Sequence, residues 1–166
     1  MTSKIPYSQQ TLDTPNPIAR FAHQMRYKYS LVKALEYLGE NGILLDFGCG
    51  DGSFLQKVAM IRPDAVLYGL DPYADHNSDS YIRIDTLKEL GNQSIDVVCC
   101  FETLEHLSSL EREHFYADTR GIISQSGKVV VSIPIIGGPP LLLKELNRII
   151  LHKRKSDYSL RELLSA

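Results

Sequence analysis

Asp46, Gly48, Gly50 and Gly52 fall within seven residues, in the string Asp46-Phe47-Gly48-Cys49-Gly50-Asp51-Gly52. Residues without a Cβ let the backbone turn tightly and touch a ligand directly, and the helix that follows such a loop offers unpaired N–H groups to an anionic group. Asp46 places a carboxylate at the same point, which opposes a pyrophosphate and suits a ligand carrying an ammonium group. The spacing is G-x-G-x-G; the dinucleotide fingerprint G-x-G-x-x-G needs a third glycine at position 53, where the chain has Ser53. The loop therefore favours an amino-acid nucleoside over a dinucleotide.

Further acids follow at telling intervals. Asp71 stands 19 residues after Gly52, near the ~20-residue offset at which an acid accepts both ribose hydroxyls. Asp85 closes another apolar run, placed to accept a hydrogen bond from the exocyclic amine of adenine, with the ring between Pro72 and Leu87. Singly, each acid reads as a helix cap or turn residue; together with the loop they point to a ligand. His106 follows Glu102 by four residues, so on one helix the two share a face, and His106 becomes a general base for an acceptor hydroxyl, or else a structural helix histidine. Cys49 reads as a small filler of the loop rather than a nucleophile. Glu105 reads as solvated or capping, and His23, His114 and His152 as surface residues.

Five apolar runs must carry these residues: 43–47, 65–71, 81–85, 95–101 and 128–133, the third and fourth ending at Asp85 and Phe101. Ser53–Ile61 has helical spacing, a helical stretch runs from Glu102 to about Ile123, and Phe21, Met25, Leu31, Leu35 and Leu38 mark a basic amphipathic helix before the first strand. On that helix Arg26, Tyr27 and Tyr29 either close over the pocket or pack. Strands separated by helices make βαβ units and a parallel sheet, with ligands at the carboxyl ends of the strands. Residues 1–17, with Pro6, Pro15 and Pro17, read as an extended arm before a single domain over 18–166.

The 166 residues fit one domain, 43% hydrophobic and 23% charged, with 18 basic against 20 acidic side chains. The acids concentrate in the centre: residues 43–140 hold 14 acidic and 7 basic side chains. No broad basic face results, so nucleic acid is not expected as a partner. The N-terminus lacks the apolar core of a signal peptide, and no apolar run approaches a membrane span, so a cytoplasmic protein is expected. Cys99 and Cys100 are adjacent inside a strand and Cys49 lies in the loop, so reduced thiols and no structural metal are expected.

In order, LLDFGCGDGSFL, GLDP, IRID, SIDVVCCFETLEHL and GKVVVSIP resemble the successive motifs of class I S-adenosylmethionine-dependent methyltransferases, specifically the type 11 methyltransferase domain, over roughly residues 30–135. The resemblance implies a Rossmann-like doubly wound α/β sheet of at least five parallel strands flanked by helices, with S-adenosylmethionine as cofactor. It implies that Asp46, Gly48, Cys49, Gly50 and Gly52 line the methionine and ribose portion, that Asp71 holds the ribose with Pro72 beside it, and that Asp85 and Thr86 meet the adenine. Phe101 and Glu102 would sit beside the sulfonium. The acceptor would be a small molecule, glycan- or lipid-linked members being the nearest in pattern, with oxygen, nitrogen or carbon left open as the accepting atom. The alternatives are a non-catalytic cofactor-binding or scaffold subunit and a nicotinamide-dependent reductase.

The core motifs span 43–134, and two helices are expected over 141–166. This reads as a chain without the family's last two strands: either a short or truncated domain, or one whose sheet edge a second copy or a partner covers. Ile135–Pro140 reads as an acceptor-side loop, and the basic stretch 151–155 as packed or touching an anionic membrane surface.

Overall fold

The structure, a computed structural model, describes residues 17–72 and 78–133. The expected arm over 1–16, the loop 135–140, His152, the basic stretch 151–155 and the helices over 141–166 lie outside the described residues.

Helix α1 spans Pro17–Tyr37, so Pro17 opens a helix rather than closing the arm, as its preset φ allows at a first helical position. Its buried residues are Ser30 and Ala34, continued by Leu38 just beyond the helix, with Tyr27, Leu31 and Leu35 half-buried beside them. Phe21, expected on the buried face, is 64% exposed. Strand β1 follows over Ile43–Phe47, then α2 over Ser53–Ile61 and β2 over Val66–Leu70. The rest is β3 over Ile82–Ile84, β4 over Ile95–Phe101, α3 over Ser109–Ile122 and β5 over Ile123–Ser132.

All four strand pairings are parallel, in the order β3-β2-β1-β4-β5. Strands β1, β2 and β4 are mostly apolar and buried, as expected where helices cover both faces of a parallel sheet, whereas the edge strand β5 is largely exposed. Alternate residues supply opposite sides: Leu44, Leu67, Val97 and Cys99 pack with Leu55 and Val58 of α2. Leu45, Tyr68, Val98 and Cys100 pack with Phe115 of α3. The chain runs outward from β1 through β2 to β3, then returns to place β4 on the other side of β1. The crevice at the carboxyl ends of β1 and β4 is where such sheets take ligands.

Two boundaries differ from the sequence reading by more than one residue. No helix starts at Glu102, whose φ of +50° is incompatible with one; Leu104–His106 form a short 3₁₀ turn. The helix begins at Ser109, because Ser108 caps it: Glu111 N–H donates to Ser108 Oγ at 3.3 Å and Ser108 N–H to Glu111 Oε2 at 2.7 Å. Strand β5 also starts earlier, at Ile123 directly after α3, because Ile123 pairs with Ile95. The register then jumps, with Val97 opposite Lys128.

Candidate functional site

The loop after β1 is left-handed at three glycines, with φ of +79° at Gly48, +54° at Gly50 and +70° at Gly52. Gly48 and Cys49 both donate to the Leu70 carbonyl, at 2.7 and 3.2 Å. Gly50 N–H donates to Asp71 Oδ2 at 3.0 Å. The end of β2 thus holds the loop against the crevice. Position 48 needs glycine for a second reason, since a Cβ there would collide with the Thr103 side chain.

Two cavities open beside this loop, and Gly48, Phe101 and Glu102 line both. The smaller, of about 80 Å³, lies on the α1 and α2 side between Tyr27, Asp46, Asp51 and Phe54. The larger, of about 450 Å³, lies on the α3 side and includes Gly50, Asp71, Pro72, Thr103 and His106. Residues 111, 114, 115 and 118 of α3 form its outer wall, at helical spacing.

Asp46 dominates the electrostatics of the smaller cavity. It is 3% exposed, and no hydrogen bond to its carboxylate occurs among the described residues. Burial, reinforced by the Asp71 charge, pushes its pKa up to about 7. Burial and the charges of Asp51 and Asp46 hold the Tyr27 phenol above its ordinary range. Asp51 accepts from Ser53 N–H at 3.1 Å.

On the far wall Glu102 accepts from Arg26 Nε at 3.1 Å, from the second Arg26 nitrogen at 3.3 Å and from Ser132 Oγ at 2.9 Å. The same arginine lies 2.8 Å from His23 Nδ1, and burial with the guanidinium charge lowers the His23 pKa against the pull of Glu102. The left-handed backbone of Glu102 costs a non-glycine residue roughly 1–3 kcal/mol. These bonds, with Glu102 N–H to the Ser132 carbonyl at 2.8 Å, hold it there.

Of the residues singled out from sequence, Asp46, Gly48, Cys49, Gly50, Asp71, Pro72, Phe101, Glu102 and His106 all line one cavity or the other. Gly52 lies behind the loop, packed on Tyr81. Asp85 and Thr86 line neither cavity. The Asp85 side chain is 73% exposed and paired with Arg83 at 3.2 Å, while the backbone N–H groups of Asp85 and Thr86 donate to Glu89 at 2.9 and 2.8 Å. Thr86 caps the 3₁₀ turn Leu87–Leu90 with Glu89, while the Asp85 carboxylate takes no part in that cap and meets Arg83 instead. His106 reaches the larger cavity from the 3₁₀ turn, so the shared helix face with Glu102 does not exist.

His23 and His114, expected at the surface, line the smaller and larger cavities. Ser30, Asp51, Phe54, Thr103 and Ser132 were not singled out. Their signals were ordinary: apolar periodicity for Phe54, a loop acid for Asp51. Arg26 and Glu102 are 76 residues apart in the chain, a pairing no local pattern encodes.

Cys49 is unsuited to nucleophilic attack. Burial, then the charges of Asp46 and Asp71, raises its thiol to about 12. Burial raises Cys100 to about 12 and also raises Cys99. The native protein at pH 8 is therefore expected to resist iodoacetamide over a period in which free cysteine reacts fully, and to take up three labels once denatured, as read by mass. Rapid labelling of Cys49 in the native state would contradict this. Among the described residues no group of three or more His, Cys, Asp or Glu side chains is placed to hold a metal ion. None of the described helices is long and apolar enough to cross a membrane.

A doubly wound parallel sheet, with a left-handed glycine loop between two cavities at its switch point, defines a domain of the Rossmann-like class. The family described as methyltransferase domain matches residues 21–134, and the chain belongs to it. No curated protein matches the chain.

Among solved structures, a cyclopropane-fatty-acyl-phospholipid synthase-like protein from Lactobacillus casei ATCC 334 is 16% identical with a TM-score of 0.55, over 93% of this chain and 70% of that one. The cyclopropane synthase MmaA2 from Mycobacterium tuberculosis is 16% identical with a TM-score of 0.53, over 93% and 62%. CalO1, a methyltransferase in calicheamicin biosynthesis in its SAH-bound form, is 15% identical with a TM-score of 0.53, over 88% and 47%. The chain thus spans less than two thirds of the last two, and the likeness is one of fold.

Proposed function

We propose that the chain binds S-adenosylmethionine across the two cavities and transfers its methyl group to a small-molecule acceptor. The observation that carries this reading is Asp46, a buried carboxylate with no hydrogen bond from the described protein, opening on the same crevice as Asp71 and the glycine loop. A buried charge without a partner is costly unless a ligand supplies one. The ammonium group of a methionine moiety is such a partner.

In this reading the methionine portion takes the smaller cavity and the adenosine portion the larger. Asp71 accepts from the ribose hydroxyls, and Pro72 gives the base an apolar surface. In the larger cavity α3 meets the base edge. His106 serves as a wall residue of that adenosine cavity rather than as a general base.

S-adenosylmethionine, when bound, supplies a methyl group made electrophilic by its sulfonium. The protein's contribution is placement: a braced loop and fixed carboxylates that hold the methyl group in line with its acceptor, an effect that can be worth ~7–11 kcal/mol. Glu102, locked by Arg26 and Ser132, stands on the wall common to both cavities, where it orients whatever enters from the α1 side.

Calorimetric titration of the full chain with S-adenosylmethionine, S-adenosylhomocysteine and NAD tests the reading. Saturable binding of the first two and none of NAD is expected. Binding of NAD alone would replace a methyl donor with a dinucleotide.

A further inference from the structure

Helix α1 has two apolar sides. One faces the fold through Ala34 and Tyr27 and walls the smaller cavity, where Tyr27 meets Phe54 edge-on at 6.2 Å and Phe54 meets Phe101 at 4.9 Å. The other side is turned outward. It runs along Phe21, Met25, Lys28, Tyr29 and Val32, the i, i+4, i+7, i+8, i+11 spacing of a single stripe. Phe21 and Tyr29 are each 64% exposed and Val32 is 51% exposed, with Met25 half-buried between them. Scattered exposed apolar residues are ordinary on a protein surface, but four aligned on one helix face mark a contact.

Charge follows the same stripe. From Pro17 to Leu35 the helix carries Arg20, Arg26, Lys28 and Lys33 and no acid, in a chain with 20 acidic side chains and a net charge of −2. Arg26 turns inward to Glu102, and Lys33 is paired with Glu36 at 2.7 Å. Arg20 and Lys28 stay exposed on or beside the stripe, and Lys28, at its middle, has no ion pair among the described residues. The first turn holds no acid and the last turn no base, so complementing the helix dipole does not account for these charges.

We propose that this outward stripe is a docking face for an anionic lipid surface. Phe21, Met25 and Val32 enter the boundary between headgroups and acyl chains, Tyr29 keeps its hydroxyl among the headgroups, and Arg20 and Lys28 meet the lipid phosphates. A lipid surface fits this face better than a protein does. A standard protein interface takes about 20–30 residues a side, whereas the stripe is one helix wide, which is all that a bilayer boundary requires. Because the opposite side of α1 walls the smaller cavity, docking holds that cavity one helix diameter, ~10–12 Å, from the headgroups. For the transfer proposed above, an acceptor anchored in the same surface comes within reach; the docking itself does not rest on that reading.

Co-sedimentation of the full chain with vesicles is the test. Wild type is expected to bind vesicles of equimolar phosphatidylglycerol and phosphatidylcholine at least tenfold more tightly than phosphatidylcholine alone, since each cation near an anionic surface contributes about fivefold. Lys28→Ala should lose about fivefold on the anionic vesicles. The double variant Phe21→Ser with Val32→Ser should lose at least tenfold while melting like wild type, because both side chains are exposed. Three results overturn the proposal. One is a wild type that does not bind anionic vesicles. Another is equal binding by wild type and the double variant, which moves the contact elsewhere in the chain. The third is a wild type that sediments alone as a dimer where the double variant is a monomer, which gives the stripe to a second copy. None of these outcomes alters the titration with S-adenosylmethionine, so the donor reading stands or falls separately.

Discussion

Asp71→Ala is expected to lower the affinity for S-adenosylmethionine about a hundredfold, or about 2.7 kcal/mol, in a protein that still melts cooperatively. Two losses combine. The proposed ribose hydroxyls lose charge-assisted acceptors, and Gly50 N–H loses the Asp71 oxygen that it meets at 3.0 Å. Asp71→Asn separates them, because its amide oxygen still accepts from Gly50 while the charge is gone. Calorimetry should therefore place Asn between wild type and Ala. If Asn binds as tightly as wild type, Asp71 acts only by bracing the loop. If Ala does so as well, Asp71 is no part of the site.

Asp46→Asn should have opposite effects on stability and on binding. Folding raises the pKa of this carboxyl from 3.8 to about 7, so the ligand-free fold holds the proton more tightly than the unfolded chain. The associated stability is complete below about pH 3.8 and is lost as the pH rises to about 7, an effect on the order of 4 kcal/mol. Above pH 7 the asparagine variant, free of that cost, should melt at a higher temperature than wild type, the gap narrowing as pH falls toward 4. Binding shows the other side: an ammonium-bearing ligand selects the ionised form. Wild-type affinity should rise about tenfold per pH unit up to pH 7 and then level off, whereas the weaker binding of the variant shows no such slope. A wild-type affinity that does not change between pH 5.5 and 8 would remove Asp46 from contact with the ligand.

Both predictions share a physical basis. A site preorganised for a cation keeps a carboxylate out of water before the ligand arrives, and the empty fold bears the cost. The strained Glu102 is a feature of the same kind, held by its surroundings rather than by local preference.

Much of this was readable along the chain. Strands β1 and β4 and helix α2 have the limits their apolar runs and spacing predict, because a strand buried on both faces and an amphipathic helix leave strong local patterns. The glycine loop, Asp46 and Asp71 were legible for a related reason. They sit at fixed offsets from strand ends, and the sheet brings every strand end to one edge. The tertiary structure alone decided the rest. That the Asp85 carboxylate pairs with Arg83 while Glu89 takes its backbone N–H is set by how β3 meets the turn after it. Whether His106 shares a face with Glu102 depends on where Ser108 starts the helix. The Arg26–Glu102 pair and the Tyr27–Phe54–Phe101 corner join α1, α2 and β4 across the fold. Local periodicity records which side of an element faces the core, because burial acts on each element separately; which side chains then meet across the crevice is set by packing between elements distant in the chain.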